Sequence, residues 1–454
     1  MKSDDGFAEE VIAEAIKQGA DQAEIFIKSS RNLSVEIKGQ SIDSLKSSLS
    51  FGYSLRIIRN RRLGFAYSSA REEKDAVIRN ALEAAEYTEE DGSLDLPDAA
   101  DFADVEVVDP EIGNILAVLP GPRSEEDATE NVMLLERSVY EEDKRIKKVR
   151  KAAGSFTYSE TGILNSKSLK TKYASTSCSA QVSAIAEEAG ESQMGWDFEG
   201  SRFLREISFE NVGRSAARNA VRLLGSRKIG GCRAYVILDN SVATDFIGIF
   251  ASLVSSEAVQ KGKSLLAGKR GKRVISSKIN MIDSGLLPRK LGSSPVDDEG
   301  VPAREKVVIN EGVLETYLHN TYTAKKDGVS STGNAVRGSY AALPSVGVTN
   351  LFISPASLRD AFSKDKIFSV IEKGLYVMDA MGVHTANPIS GEFSIGVSGI
   401  WIENGEPRYP VKEAVISGNI LEFFEKIEAA GDDLRFYGNI GAPSLIIYDV
   451  DISA

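Results

Sequence analysis

"GADQAEIFIKSSRNLSVEIKGQSIDSLKSSLSFGYSLRIIRNRRLGFAYSS", Gly19 to Ser69, decides the class of fold. Within it "AEIFIKSS" reads as a strand, and "LSVEIKG" alternates apolar and polar residues strictly, the period of a pleated strand with one buried face. "FGYSLRIIRNRRLGFAYSS" reads as two strands folded back at a turn over Arg59 to Arg62. Upstream, Phe7, Ala8, Val11, Ile12, Ala15 and Ile16 recur at helical spacing in the segment Phe7 to Gln18, and Gly19 stands where a helix stops. Downstream, Glu72 to Glu86 places Val77, Ile78, Leu82 and Ala85 on one helical face. Residues 1–90 are therefore expected to form an α+β unit.

The rest of the chain divides by texture. Glu89 to Pro122 is acidic and rich in turn residues, and 91–122 reads as a linker. In 123–228 a helix from Glu125 to about Asp143, strands through "VRKAAGSFTYSE" and "QMGWDFEG", and a helix from Asn211 to Leu224 echo the first unit. From 229 to 454 the chain is mostly β. "CRAYVILD" is a strand, Thr244 to Gln260 a helix, and "INEGVLETY" and "IENGEPRYPV" carry turn signals. Short helices are expected near Asp365 to Glu372 and over Ile420 to Ala430. The expected class is α+β, with N-terminal α/β units followed by a β-rich C-terminal domain.

Bulk chemistry excludes several functions. A chain of 454 residues with a formal charge of −12 repels nucleic acid on average, so direct nucleic-acid binding is not expected. Two basic runs, Lys144 to Lys151 and Lys261 to Lys278, lack the interleaved aromatics of a single-strand binder and read as solvated faces. No apolar run approaches a membrane span. The start, "MKSDDGFAEE", has carboxylates where a signal peptide needs cations, so a cytoplasmic location is expected. Two cysteines, Cys178 and Cys232, exclude a disulfide framework. Gly262 to Ser264, "GKS", lacks the first glycine of a phosphate loop, since position 257 is Glu257.

Catalytic candidates are few. The chain has two histidines, His319 and His384, too few for the usual nitrogen-rich zinc site. "GVHTANPISGEFSIGVSGIWIENGE", Gly382 to Glu406, offers Ser390 as nucleophile, His384 as base and Glu392 as orienter. Triad members come from separated loops so that they converge, and no G-x-S-x-G elbow is present. Turns at Asn387-Pro388 and Ser390-Gly391 explain the same residues structurally.

Three stretches together resemble the TldD/PmbA family, historically the modulators of DNA gyrase. They are the opening quotation, "DDEGVPAREKVVINEGVLETYLHNTYTAKKDGVSSTGNA" (Asp297 to Ala335), and Gly382 to Glu406 continued as "PRYPVKEAVISGNILEFFEKI". The family pairs a TldD-type zinc peptidase, with an H-E-x-x-x-H helix and a later cysteine ligand, with a PmbA/TldE-type subunit that lacks them. Here the matching helix is "TDFIGIFASLVSSEAVQ". Gly248 stands for the first histidine, Ile249 for the glutamate, Leu253 for the second histidine, and Ala442 near the cysteine. The resemblance therefore implies a non-catalytic subunit with no metal or cofactor of its own. Its expected partner is a TldD-type zinc subunit, or a second copy, acting on extended, unfolded or short peptides. His384, Asn387, Ser390 and Glu392 become candidates for lining the peptide cavity. The alternative is a stand-alone homodimeric peptide-binding protein of the same fold.

Overall fold

The computed structural model describes residues 4–99, 109, 111–119, 121, 123–357, 361–363, 366–369 and 371–453. The chain opens with helix α1 (Asp4–Lys17), strands β1 (Gln22–Lys38), β2 (Ser41–Arg59) and β3 (Arg62–Ser68), and helix α2 (Lys74–Tyr87). The pattern repeats as α3 (Ser124–Glu142), β4 (Ile146–Asn165), β5 (Lys170–Glu188), β6 (Glu191–Ser201) and α4 (Phe209–Arg222). All six strands form one antiparallel sheet in the order β3-β2-β1-β4-β5-β6. The two repeats thus meet at the β1–β4 pair. "AEIFIKSS" and "LSVEIKG" are parts of the single strand β1.

Local chemistry explains the hairpins. Asn60 and Arg61 both have positive φ, 51° and 59°, the conformation a two-residue turn needs to follow strand twist. Gly39 and Gln40 (61° and 58°) make the same turn between β1 and β2. The buried Glu136 of α3 accepts both turn amides, at 2.8 and 2.6 Å, so the turn is tied to the helix that covers it.

Alternation gives the sheet two unlike faces. Ile25 and Ile27 of β1 and Tyr53, Leu55 and Ile57 of β2 pack under Phe7, Val11, Val77 and Ile78 of α1 and α2. Farther along the same face of β1, Leu33, Val35 and Ile37 join Val132, Leu135 and Val139 of α3. The opposite face starts with Glu24 and Phe26, which are buried. Beyond them it carries Ser30, Asn32 and Ser34, paired across β4 with Ser159, Thr157 and Ser155, a field of hydroxyls and amides with no apolar cover.

The remaining chain forms β7 (Cys232–Leu238), α5 (Asn240–Leu253), α6 (Ser256–Gln260), β8 (Ile279–Ser284), β9 (Glu305–Asn310), β10 (Val313–Leu314), α7 (Thr321–Asp327), β11 (Ala335–Val336), β12 (Ser345–Val346) and β13 (Leu351–Pro355). It ends with β14 (Lys373–Met381), β15 (Glu392–Glu403), β16 (Glu406–Asn419), α8 (Ile420–Glu425), β17 (Ile427–Ala430), β18 (Arg435–Tyr437), β19 (Ile440–Ala442) and β20 (Leu445–Ser453). One sheet runs β10-β9-β8-β13-β19-β18 and the other β16-β15-β14-β7-β20-β17, with β16 also pairing β20. Residues from both sheets and from α5 share one large apolar core. The α+β class expected from the sequence is the class observed.

Two helices differ from expectation. The one expected over Thr244 to Gln260 begins earlier, at Asn240, because Asp239 caps it by accepting from the Ser241 amide at 3.1 Å. It breaks after Leu253, where the Ser256 amide bonds the Leu318 carbonyl instead. The helix expected over Ile420 to Ala430 ends at Glu425, and Ile427–Ala430 becomes a strand pairing β20. Burial of Ile427 and Ala430 beside that strand outweighs helical propensity. The expected short helix over Asp365 to Glu372 lies partly outside the described residues, as does the linker 91–122.

The first sheet meets the C-terminal part through charge. Glu24 and Arg56 lie directly opposite each other on β1 and β2, and Arg56 Nη2 donates to Glu24 Oε2 at 2.7 Å. Arg56 Nη1 donates to Glu299 Oε1 at 2.8 Å, and Arg337 Nη2 to Glu24 Oε1 at 2.5 Å. All four side chains are buried. The Glu299 loop is itself pinned: Asp297 Oδ1 accepts the amides of Glu299 and Val301, both at 2.9 Å. Beside the network the Tyr340 ring lies on Gly52, where a Cβ would come within 2.4 Å of it. Removing one member of such a buried network costs about 3–5 kcal/mol, because a partner charge stays behind in low dielectric. Arg337→Met is therefore expected to shift the urea denaturation midpoint strongly. Arg218→Met, at the exposed Glu142 pair, is expected to cost under about 1 kcal/mol. Equal small shifts for both would refute this account of the seam.

Candidate functional site

Helix α5 builds the site by being apolar on all but one side. Val242, Ala243, Phe246, Ile247, Phe250 and Leu253 are buried. Phe246 stacks on Phe423 at 5.2 Å and meets Phe393 edge-on at 5.5 Å, while Phe250 sits 4.7 Å from Phe424. These rings fix the rotation of the helix. What faces outward is Asp245, Gly248, Ile249 and Ser252, the i, i+3, i+4, i+7 stripe. The stripe floors a cavity of about 480 Å³ whose other walls are Ala380 of β14 and Gly382, Val383, Ala386 and Pro388 of the following loop. Gly248 leaves the floor open, since a Cβ there would meet nothing within 4 Å.

Asp245 is the one charged residue lining this cavity among the described residues. Its carboxylate reaches solvent through the mouth but is surrounded by apolar wall. That burial first, and then the charge of Asp379 on β14, push it up to about 6. Burial also raises Asp379, against hydrogen bonds from the Trp196 side chain and the Ala380 amide. The Ser252 hydroxyl donates to the Ile249 carbonyl of its own helix at 2.8 Å.

Of the four residues proposed for a peptide cavity, Asn387, Ser390 and Glu392 sit beside this recess and are not among its described walls. Asn387 Oδ1 accepts the amides of Ile389 and Ser390, at 2.8 and 3.2 Å, so its side chain makes the turn. Ser390 Oγ lies 3.3 Å from Glu392 Oε2, with both residues at the surface. His384 occupies the short 3-10 turn Val383–Thr385, and its side chain lies outside the described residues. Of the positions matched to metal ligands, Gly248 and Ile249 line the cavity, whereas Leu253 and Ala442 are fully buried in the core. His319 is buried at the entry to α7, away from this cavity, and its Nδ1 has no hydrogen-bond partner among the described residues.

The other sequence features are structural. The basic run 261–278 is a surface segment anchored by Leu266, Val274 and Ile275, with Lys261 paired to Glu257 at 2.5 Å. Burial pushes the Cys178 thiol up to about 12, and both cysteines are free. No helix among the described residues is long and apolar enough to cross a membrane.

Comparison with known proteins places this architecture. The models of the PmbA/TldA metallopeptidase domain 1, central domain and C-terminal domain match residues 23–85, 119–224 and 231–454. The chain belongs to the PmbA/TldD metallopeptidase family. Within it, this family member is 27% identical to the metalloprotease PmbA of Escherichia coli O157:H7 over 452 residues, covering 98% of this chain and 96% of that one. The structure of a Thermotoga maritima MSB8 protein described as a modulator of a DNA gyrase superposes with a TM-score of 0.89 at 26% identity, covering 99% of this chain and all of that one. TldE from Thermococcus kodakarensis shares the fold with a TM-score of 0.87 at 22% identity, over 99% of this chain and all of its own.

A metallopeptidase family name raises the question of zinc, which takes at least three nitrogen, oxygen or sulfur ligands. The cavity face of α5 supplies one carboxylate, and the only hydroxyl on it is spent on its own helix. No group of three His, Cys, Asp or Glu side chains able to hold a metal occurs among the described residues. The described residues do not fit the metal.

Asp245 makes a testable contribution to stability. Its folded value, about 6, lies above the roughly 4 of an unfolded aspartate. Between the two the folded chain keeps the proton and the unfolded chain loses it. Stability is therefore fullest below pH ~4 and is lost as pH rises through about 6. Asp245→Asn is expected to leave stability unchanged at pH 4 and to raise it at pH 7.5 by on the order of 1 kcal/mol, a figure discounted for solvent at the cavity mouth. Urea melts of both proteins across this range check it; a difference independent of pH would contradict the assignment.

Proposed function

We propose that this chain is the metal-ligand-lacking, PmbA/TldE-type subunit of a TldD/TldE-like zinc peptidase acting on unfolded or short peptides. The observation that carries the reading is the outward stripe of α5. A helix held by aromatic packing presents Asp245, Gly248, Ile249 and Ser252 to an open cavity, with none of the imidazole or thiolate donors a catalytic zinc requires. The full-length match to PmbA and the shared fold with TldE agree with it. In this reading a zinc-bearing sibling supplies the chemistry, and this subunit shapes and limits the space in which an extended peptide is held.

One observation agrees equally with the second reading, a stand-alone homodimer. Strand β3 pairs only with Tyr53–Arg59 of β2, so among the described residues positions 41–52 present an open edge. Ile42, Leu45 and Leu49 on that edge are solvent-exposed, Leu49 by 83%. An open edge with apolar side chains accepts another strand, from a sibling subunit or from a second copy.

Co-purification from the native cells decides between them. Recovery of a near-stoichiometric sibling with H-E-x-x-x-H, and peptide hydrolysis by the pair that a chelator abolishes, is the expected result. Recovery of this chain alone as a dimer, with peptide binding but no hydrolysis, would replace the first reading by the second.

A further inference from the structure

We infer that the recess over α5 is a binding site for an alkylammonium group, the free amino terminus or a lysine side chain of an extended peptide. The ammonium sits on Asp245 and its aliphatic stem lies along Ile249, Ala380, Val383, Ala386 and Pro388. That the ammonium belongs to a peptide rests on the peptide-holding reading above. The preference for an ammonium rests on the recess itself.

The size and lining fit such a guest. A cavity of about 480 Å³ falls in the range that takes small ligands, roughly 300–1,000 Å³ with mostly apolar walls and a few polar groups that fix orientation. Here there is one such group. Among the described residues the Asp245 carboxylate has no hydrogen bond or ion pair, and the one charged neighbour that acts on it, Asp379, is of the same sign. Asp245 is solvent-exposed at the recess, and an ammonium that replaces its water gains a charge-assisted hydrogen bond while its stem covers the apolar wall. Asp379 does not compete for the guest's hydrogen bonds, because Trp196 and the Ala380 amide already engage it. Its charge deepens the negative potential at the recess.

Other guests fit less well. An anion meets two carboxylates. A divalent cation finds a single free carboxylate where it needs several oxygens. A purely apolar group leaves Asp245 buried without a partner. An alkylammonium satisfies the carboxylate and covers the apolar wall together.

Three short peptides of one leucine- and alanine-rich sequence, labelled at the C-terminus, test this on the purified full-length chain by fluorescence anisotropy at pH 7.5. The first has a free amino terminus and no lysine. The second is the same peptide acetylated. The third is acetylated and carries one central lysine. At least one amine-bearing peptide is expected to bind at least tenfold more tightly than the acetylated, lysine-free one, and which of the two does so identifies the source of the ammonium. Asp245→Asn is expected to remove that advantage by weakening the amine-bearing peptide. Gly248→Leu, on a helical position with open space, fills the floor and is expected to weaken all three. Thermal melts confirm that each variant is folded. Equal binding of all three peptides, no binding of any, or an amine preference that survives Asp245→Asn overturns the inference. The chain is tested alone, so absence of a zinc-bearing sibling in the cell would leave this result standing, and failure here would leave the subunit reading intact.

Discussion

The pairing of Glu24 and Arg56 across β1 and β2 is the constraint on which the arrangement of the chain depends. The pair alone would be an ordinary cross-strand contact. It becomes structural because Glu299 and Arg337, from the C-terminal part, complete it at 2.8 and 2.5 Å. Two anions and two cations then neutralise one another in a place water does not reach. Burial works against the Glu299 charge, and Arg56 with the Thr321 amide more than offsets it, holding that carboxyl below its usual range. For Asp297 next door burial prevails, and the charge of Glu299 adds to it, so its carboxyl is raised. A purely apolar seam would hold as firmly, but it would tolerate sliding. A network of directional bonds admits one register.

That register reaches the cavity. Glu299 Oε2 accepts the Thr321 amide at 2.8 Å at the first turn of α7. Asn320 caps the same helix, and Thr323 receives a hydrogen bond from Ser256 of α6 at 2.9 Å. The segment α6 follows α5 after a two-residue break. A chain of hydrogen bonds therefore runs from the N-terminal sheet to α6, which the backbone joins to the helix that floors the recess. It fixes position; nothing in it requires motion.

Much of this was legible in the sequence where burial is one-sided. Ile25, Ile27, Leu55 and Ile57 alternate because helices cover one face of β1 and β2, and the turn expected over Arg59 to Arg62 lies there, with Asn60 and Arg61 at positive φ. The first half of β2, "SIDSLKSSLS", was silent. Its neighbours on the open face are hydroxyls, and its apolar residues are exposed at an edge, so no periodicity marks it. Nor did local pattern show that the two α/β repeats share one sheet, because the β1–β4 pairing is set by residues more than a hundred positions apart. The break after Leu253 and the early end of α8 were likewise decided by segments arriving from elsewhere, the Leu318 backbone and β20.

The site shows the same division between local and tertiary information. That this helix carries no histidine or cysteine was readable from its residues alone. Asp245 was overlooked, although a lone carboxylate in an otherwise apolar helix is a visible signal, because only the packed structure shows which side of the helix stays open. The aromatic contacts of Phe246 and Phe250 settle that. They turn Leu253 into the core and leave Ser252, one residue earlier, at the cavity. The helix lacks imidazole and thiolate donors, yet it has kept an open recess lined by small residues. An outward stripe is usual for a surface helix, but here a recess lies over it and a glycine, which costs a helix interior about 1 kcal/mol relative to alanine, forms its floor. An open floor at Gly248 beneath an unpaired carboxylate is a poor solution for folding alone. It is a sound one for a surface that must receive a guest.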